Sequence, residues 1–438
     1  MPHLPTLLMQ VGVVILAARL VGFLFRRVGQ PQVVGEIAAG IILGPSLLGW
    51  LSPELEASLF PVNSLGFLNA LSQIGLVAFM FLVGLELNPQ LLRGRSHTAV
   101  ITSHASITLP FFLGSLLALY LYPRLSDSSV TFTNFALFVG IAMSITAFPV
   151  LARILSERKL MNHPVGVIAI ACAAVDDVTA WCILAAVVAM VRASGTATPL
   201  WLTLAGSVAY MLFMVFVVRR LLRGFVGLYL DRGRITHDHM GLILLLVLGS
   251  AWVTEELGIH ALFGAFLVGA IMPKDADFVH TLTERIEGLV VVLLLPLFFA
   301  FTGLRTSIGL LANADMWMYC GLLIAVAVVG KLGGSMLAAG LTGMTWREAG
   351  AVGILMNTRG LIQLVVLNIG LDIGVISPAM FTMMVIMALV TTFMTTPLLE
   401  LVYPMRLMQR EADAARQSDE GRTVSAVGKG MATSLAHH

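Results

Sequence analysis

Charge is scarce in this 438-residue chain: Asp, Glu, Lys and Arg together make up 11%, where a soluble globular chain carries roughly a quarter. That scarcity excludes an ordinary soluble fold. Net charge is only +2 and no basic domain stands out, so the electrostatic footprint of nucleic-acid binding is missing and no nucleic-acid partner is expected. Cysteine is nearly absent too. Cys172, Cys182 and Cys320 lie singly inside apolar runs, without a CxxC pair or metal-ligand spacing, and read as small packing residues. No Lys or Arg precedes the first apolar run, so the charged start of a signal peptide is lacking and the first segment is expected to stay in the membrane. There is no nucleophile constellation, no metal set and no glycine-rich cofactor loop, so neither enzyme activity nor a cofactor is expected.

What is present is hydrophobic: 58% of the residues, gathered into runs of roughly 18 to 26, each long enough at 1.5 Å per residue to cross a hydrocarbon core about 30 Å thick. The chain reads as an all-α polytopic membrane protein with about thirteen transmembrane helices. They fall at roughly 6–25, 33–50, 70–87, 99–122, 133–153, 164–191, 200–218, 240–255, 259–273, 286–304, 316–341, 348–370 and 378–402. Loop charge orients them, because Lys and Arg are retained on the cytoplasmic side. One set of alternate loops holds fifteen of these residues, among them Arg26, Arg93, Lys159, Arg219, Lys274 and Arg347, and the other only Arg124, Arg192 and Arg305. The expected N-terminus is outside and the C-terminus cytoplasmic, in a cell (inner) membrane. Residues 1–404 form the membrane domain. The tail, 405–438, is polar and rich in Ala, Ser and charge without apolar periodicity, and is expected to be disordered.

The spans carry a repeat. Span two reads GEIAAGIILGP from Gly35 to Pro45 and span nine GAFLVGAIMP from Gly264 to Pro273, with glycines five apart in both. The spans that follow end in FLVGLELN (Phe81 to Asn88) and FTGLRTS (Phe301 to Ser307), each with a Gly-Leu-charge corner. Because span two starts inside and span nine outside, the halves are related by inversion, the usual construction of secondary transporters. Glycine-rich spans also look alike simply because small residues pack helices closely.

Charged residues inside spans are costly and tend to pair or line a pathway. Asp176 and Asp177 lie about 20 Å into span six at helical rise, near the midplane. Lys331 in span eleven reaches the same depth travelling the other way. Two adjacent carboxylates in low dielectric cannot both ionise cheaply unless a cation compensates, so the pair suits a proton or a metal cation that must leave before the other enters. A structural ion pair between Asp176 and Lys331 is the plainer alternative. Span five, MSITAFPVL, puts Pro149 among Ser144 and Thr146 and is expected to break there. Span twelve, MNTRGLIQL, puts Asn357, Thr358, Arg359 and Gly360 at mid-depth, where they are poor helix formers unless they line a cavity. Two such breaks would bring unwound carbonyls and opposed dipole ends to one site. Arg359 either compensates the carbonyl ends or pairs with an acid. Glu36 and Glu86, near cytoplasmic span ends where a carboxylate reaches interfacial water, suit a structural or access-funnel role. Asn134, Gln363, Asn368 and Asp372 are exit-lining candidates, and His260 reads as an interface residue.

These residues resemble the second branch of the monovalent cation:proton antiporter superfamily over essentially Gln30 to Pro404. The resemblance is carried by QPQVVGEIAAGIILGPSLLG (Gln30 to Gly49), GLVAFMFLVGLELN (Gly75 to Asn88), SITAFPVLARIL (Ser144 to Leu155), Asp176 with Asp177, GIHALFGAFLVG (Gly258 to Gly269) and NTRGLIQLVVLNIG (Asn357 to Gly370). It implies the sodium/proton antiporter fold: inverted repeats with two broken crossing helices, and a core bundle at about 99–191 and 316–402. That bundle would move, elevator-fashion, against a dimerisation panel at about 6–87 and 240–304, with 200–218 as linker helix. It further implies a homodimer in the lipid bilayer, working in pH homeostasis. Asp177 is implied as the ion-binding carboxylate for which H+ and cation compete and Asp176 as the partner of Lys331; with the hydroxyl of Thr146 at the expected break, the monovalent cation is expected at Asp177, Asp176 and Thr146. An Asp pair implies electrogenic exchange, of Na+ for H+ in the leading reading and of K+ for H+ in the runner-up. The chain departs from glutathione-gated potassium efflux members, which have Gln before the Asp and a nucleotide-binding domain. A sodium-coupled organic-anion symporter of related fold remains a further alternative, whereas a channel is disfavoured because no selectivity-filter segment is present.

Overall fold

The computed structural model describes residues 4–86, 97–127, 129–157, 160, 163–193, 200–224, 236–404 and 407. Among these the chain is helical, with no strand. α1 (Leu4–Arg27), α2 (Gln32–Leu43) and α3 (Val62–Glu86) come first, short helical turns at Leu48–Leu51 and Pro53–Leu59 joining the last two. α4 (His97–Leu125) leads to α5 (Phe132–Ser144), α6 (Phe148–Glu157), α7 (Pro164–Ala193) and α8 (200–218). The second half holds α9 (His237–Glu256), α10 (Ala261–Ile271), α11 (276–304), α12 (Ala314–Leu341), α13 (Trp346–Met356), α14 (Leu361–Asp372) and α15 (Pro378–Val402). All of the tail except Leu407 lies outside the described residues.

Ten helices among the described residues are long and apolar enough to cross a membrane, and α13 with α14, bent by 43° at their break, make an eleventh. The other two of the thirteen expected spans differ from a continuous helix. α5 and α6 divide 133–153 across a break. α10 has only 11 residues, about 16 Å at helical rise and half of a hydrocarbon core; non-helical backbone at 257–260 and 272–275 completes that segment. Its N-cap is His260, held at φ 148°, a left-handed conformation that non-glycine residues rarely adopt.

Helix starts follow local chemistry. Thr131, Asp275 and Ser377 each accept the amide three residues on with a side-chain oxygen, and Thr345 makes a reciprocal capping box with Glu348, so orphan amides are met before the apolar runs begin. Pro149 is the second residue of α6, where its missing amide hydrogen would have no intrahelical acceptor anyway. It marks the resumption of the helix rather than the break, which lies at 145–147.

By contact the helices form two groups, α1–α3 with α9–α11, and α4–α7 with α12–α15, while α8 touches α7 and, through its π-helical turn at Met214–Val218, α10. The first group displays the repeat as paired close approaches. A Cβ on Gly40 of α2 would stand 2.2 Å from Ala300 O of α11, and one on Gly269 of α10 would stand 2.2 Å from Phe81 O of α3. From the opposite sides, a Cβ on Gly303 would meet Ile37 O at 2.5 Å and one on Gly84 would meet Phe266 O at 2.2 Å. In the sequence alignment Gly40 matches Gly269 and Gly84 matches Gly303, so the two crossings are one crossing used twice. The outer neighbours obey the same relation: Gly35 lies against Gly22 of α1 and Gly264 against Ser250 of α9. Inverted repetition is therefore a property of the packing, with backbones in contact because no side chain intervenes.

Candidate functional site

The α5/α6 and α13/α14 breaks cross. Ile145 leaves α5 in extended conformation, and the Ala147 amide donates to Thr358 O at 3.0 Å, while Thr146 Oγ1 lies 3.3 Å from Met356 O. A Cβ on Gly360 would stand 2.7 Å from Val150 Cγ2 and 3.1 Å from Ala147 Cβ, so only glycine lets the strands of the crossing lie this close. Each break leaves helix-terminal carbonyls without their usual donors.

Two buried cations answer those carbonyls. The Lys331 ammonium donates to Ser144 O, to Ser106 O at 3.0 Å and to Asp176 Oδ2 at 2.9 Å, which uses all three of its hydrogens. Arg359 donates through Nη1 to Ala142 O at 3.2 Å and Gln363 Oε1 at 2.7 Å, and through Nη2 to Met143 O at 2.7 Å. Of the two roles left open for Arg359, its described partners match the first: it neutralises the negative end of α5. Its backbone is pinned to α15 by Thr392, whose hydroxyl accepts from Arg359 N and donates to Arg359 O.

Asp176 is the acceptor at the centre. Ser103 Oγ donates to Oδ1 at 2.7 Å, and Ser106 Oγ at 2.8 Å, Thr146 Oγ1 at 2.9 Å and Lys331 Nζ at 2.9 Å all reach Oδ2. Asp176 and Lys331 side chains are both 0% exposed. A charge so far from water persists because its partners replace hydration. Lys331 owes its placement to a π-helical turn, Val329–Gly333, in the middle of α12; such turns recur at functional sites. Gly330 and Gly334 lay that turn directly on Pro110 and Ala105 of α4.

Not every residue singled out from the sequence joins this cluster. Asp177 follows Asp176 on α7, but its side chain lies outside the described residues, as does that of Glu86. Glu36 is buried rather than in contact with interfacial water; it accepts from Gln32 Nε2 at 2.7 Å within α2, because α2 is wedged between α1 and α11. Asn368 and Asp372 belong to a separate network with Arg305, at 2.9 and 2.6 Å. Ser144 donates to Ile107 O at 3.0 Å or Gly140 O at 2.8 Å and so contributes its carbonyl, not its hydroxyl, to Lys331. Asn357 Oδ1 and Thr358 Oγ1 are buried without a hydrogen-bond partner among the described residues. Sequence reading passed over Ser103, Ser106 and Thr392; the signal was the polar run Thr102-Ser103-His104-Ala105-Ser106 inside an apolar span.

The sequence pattern of the family described as sodium/hydrogen exchanger, transmembrane, matches residues 13–401. The chain is 47% identical to the Na(+)/H(+) antiporter NhaS4 of Synechocystis sp. over 401 residues, 91% of this chain and 97% of that protein. It is 35% identical to the K(+)/H(+) antiporter 1 of Saccharomyces cerevisiae over 91% of this chain but 46% of the yeast protein, so it spans about half of that relative. The structure of the sodium proton antiporter MjNhaP1 from Methanocaldococcus jannaschii superposes with a TM-score of 0.61 over 92% of this chain and 99% of the other, at 15% identity, which is a likeness of fold.

Proposed function

Because the chain belongs to the sodium/hydrogen exchanger family, we propose that it is a secondary active antiporter exchanging Na+ for H+ across the cell membrane. It works as a homodimer, with its N-terminus outside and its C-terminus in the cytoplasm. The observation that carries this reading is the buried Asp176–Lys331 pair, set at a crossing that leaves two oxygens, Asn357 Oδ1 and Thr358 Oγ1, without partners among the described residues. Cation transport needs oxygens free to replace hydration, and proton transport needs a carboxylate that can gain and lose a proton. Asp177 supplies that carboxylate, and Asn357, Thr358 and the lone pairs of Thr146 supply neutral ligands. Asp176, with its hydrogen bonds filled, holds Lys331 until a cation arrives.

Exchange is electrogenic in this reading. Cation arrival weakens the hold of Asp176 on Lys331, the lysine loses its proton along with Asp177, and two protons move against one cation. The group α4–α7 with α12–α15 carries the site as one body past α1–α3 and α9–α11, an elevator-type movement. The yeast relative's name supports a second reading, K+/H+ exchange, since neutral oxygens and one carboxylate do not select cation size. The test is reconstitution in liposomes with a pH dye, adding Na+, K+ or Li+ in turn, with and without an imposed membrane potential. Proton movement driven by Na+ and altered by potential supports the reading; a stronger response to K+ moves it to the runner-up. A protein inert under every gradient refutes both.

A further inference from the structure

One helical turn from the buried pair, toward the end of the bundle where α4 and α7 begin and α12 ends, each of these three helices carries a second polar side chain. Four residues before Ser106 stands Thr102, four before Asp176 stands Cys172, and four after Lys331 stands Ser335. Residues four apart share a helix face, so the three form a layer beneath their counterparts. The register of the antiparallel pair α4 and α12 agrees: Gly330 lies on Pro110, Gly334 on Ala105, and Thr98 Oγ1 donates to Thr342 O at 3.3 Å. That register sets Thr102 against Ser335 in the relation that Ser106 has to Lys331.

Thr102, Cys172 and Ser335 are all 0% exposed. The Cys172 thiol donates to Ala99 O at 3.3 Å, but Thr102 Oγ1 and Ser335 Oγ have no hydrogen-bond partner among the described residues. A helix hydroxyl can turn back to the carbonyl four residues earlier, as Thr302, Thr306, Thr342 and Thr391 do. These two do not, although a buried hydroxyl without a partner is costly. Two facing hydroxyls of this kind provide the polar lining that an internal water requires. One turn further on, Thr98 and Thr342 are only half-buried, so the polar file continues to the end of the helices.

We propose that Thr102 and Ser335 hold a water molecule between them and relay protons from Lys331 to the Thr98–Thr342 end of the bundle. The route runs between α4 and α12 and is separate from the cation's place at the helix crossing. In one passage cation arrival loosens the bond from Lys331 to Asp176, and the N–H so freed breaks as an O–H bond forms on the water. The water gives up another proton through the Ser335 or Thr102 hydroxyl toward Thr98, and Lys331 is left as a neutral amine. When exchange runs in the opposite direction the same file loads Lys331 from that end, and nothing is oxidised or reduced. This relay rests on the electrogenic exchange reading, because only there does Lys331 give up a proton.

The test compares two fluxes in liposomes holding Ser335→Ala or Thr102→Val. One is cation-driven proton movement. The other is exchange of labelled for unlabelled cation, Na+ or the K+ analogue Rb+, saturating on both sides without a pH gradient, which moves the carrier but no net protons. The variants slow the proton-coupled flux at least about tenfold, short of a full positioned proton-transfer contribution because water partly replaces a hydroxyl. Labelled-cation exchange and the KM for the cation stay at wild-type values, and Ser335→Thr and Thr102→Ser retain both fluxes. Equal losses in the two fluxes mean that the hydroxyls only pack the bundle and overturn the relay, as do wild-type rates in both. A wild-type protein inert in both fluxes refutes the exchange reading itself, and the relay with it.

Discussion

Lys331 Nζ and Asp176 Oδ2 stand 2.9 Å apart with both side chains sealed from solvent, and every hydrogen of the ammonium is already committed to an acceptor. Removing one partner strands the other. Lys331→Ala is therefore expected to destabilise the protein by about 3–5 kcal/mol, the usual cost of an uncompensated buried charge. Lys331→Gln combined with Asp176→Asn is expected to recover most of that stability while abolishing the response of transport to membrane potential. Thermal unfolding in detergent and potential-clamped liposome assays check the two halves. Stability left unrecovered in the double variant would assign the loss to packing rather than charge.

Asp177→Asn is expected to abolish cation-driven proton movement while leaving a monodisperse, normally melting protein, because an amide cannot alternate between protonated and cation-bound forms. Transport assays beside size-exclusion chromatography decide this. Full transport by the variant would place the ion site elsewhere.

Thr146→Val is expected to raise the apparent KM for the cation more than Glu36→Gln does. Thr146 sits at the crossing and bonds Asp176, whereas Glu36 accepts from Gln32 within α2. Cation titrations of the two variants at fixed pH give the comparison, and equal shifts would remove α5 from the site.

The two breaks could be read because Pro, Gly, Asn and Thr in mid-span have few other uses, and the Asp176–Lys331 meeting could be read because depth follows from counting residues at a fixed rise. Depth alone does not say which of the adjacent acids faces Lys331; only the family resemblance pointed to Asp176. Neighbouring helix residues point about 100° apart, and which face is turned inward depends on how α7 packs against α4 and α12. The π-helical turn at Val329–Gly333 was invisible for the same reason, since VVGKLGGS fits an unbroken helix equally well. Ser103 and Ser106 went unassigned because small hydroxyl residues are common wherever membrane helices pack closely. The short α10 escaped notice because Leu257, Ile259 and Met272 in its non-helical flanks carry the apolar run past both ends of the helix.

The paired glycine crossings make a symmetric expectation. Gly84→Val and Gly303→Val are each expected to destabilise by about 1–3 kcal/mol or more, since even a Cβ would stand 2.2 Å from Phe266 O and 2.5 Å from Ile37 O. Gly66→Ala, where nothing lies within 4 Å, is expected to be nearly neutral. Melting temperatures of the three variants check this, and tolerance at one crossing with collapse at the other would show that the repeats are not energetically equivalent.

The most direct measurement is the apparent KM of the reconstituted protein for its cation as a function of pH. If cation and proton take turns on the Asp177 carboxylate, lowering the pH raises the KM while the maximal rate at saturating cation stays constant, because enough cation always displaces the proton. A KM that stays fixed while the maximal rate falls would mean that the two ions bind separate sites, and would contradict the account.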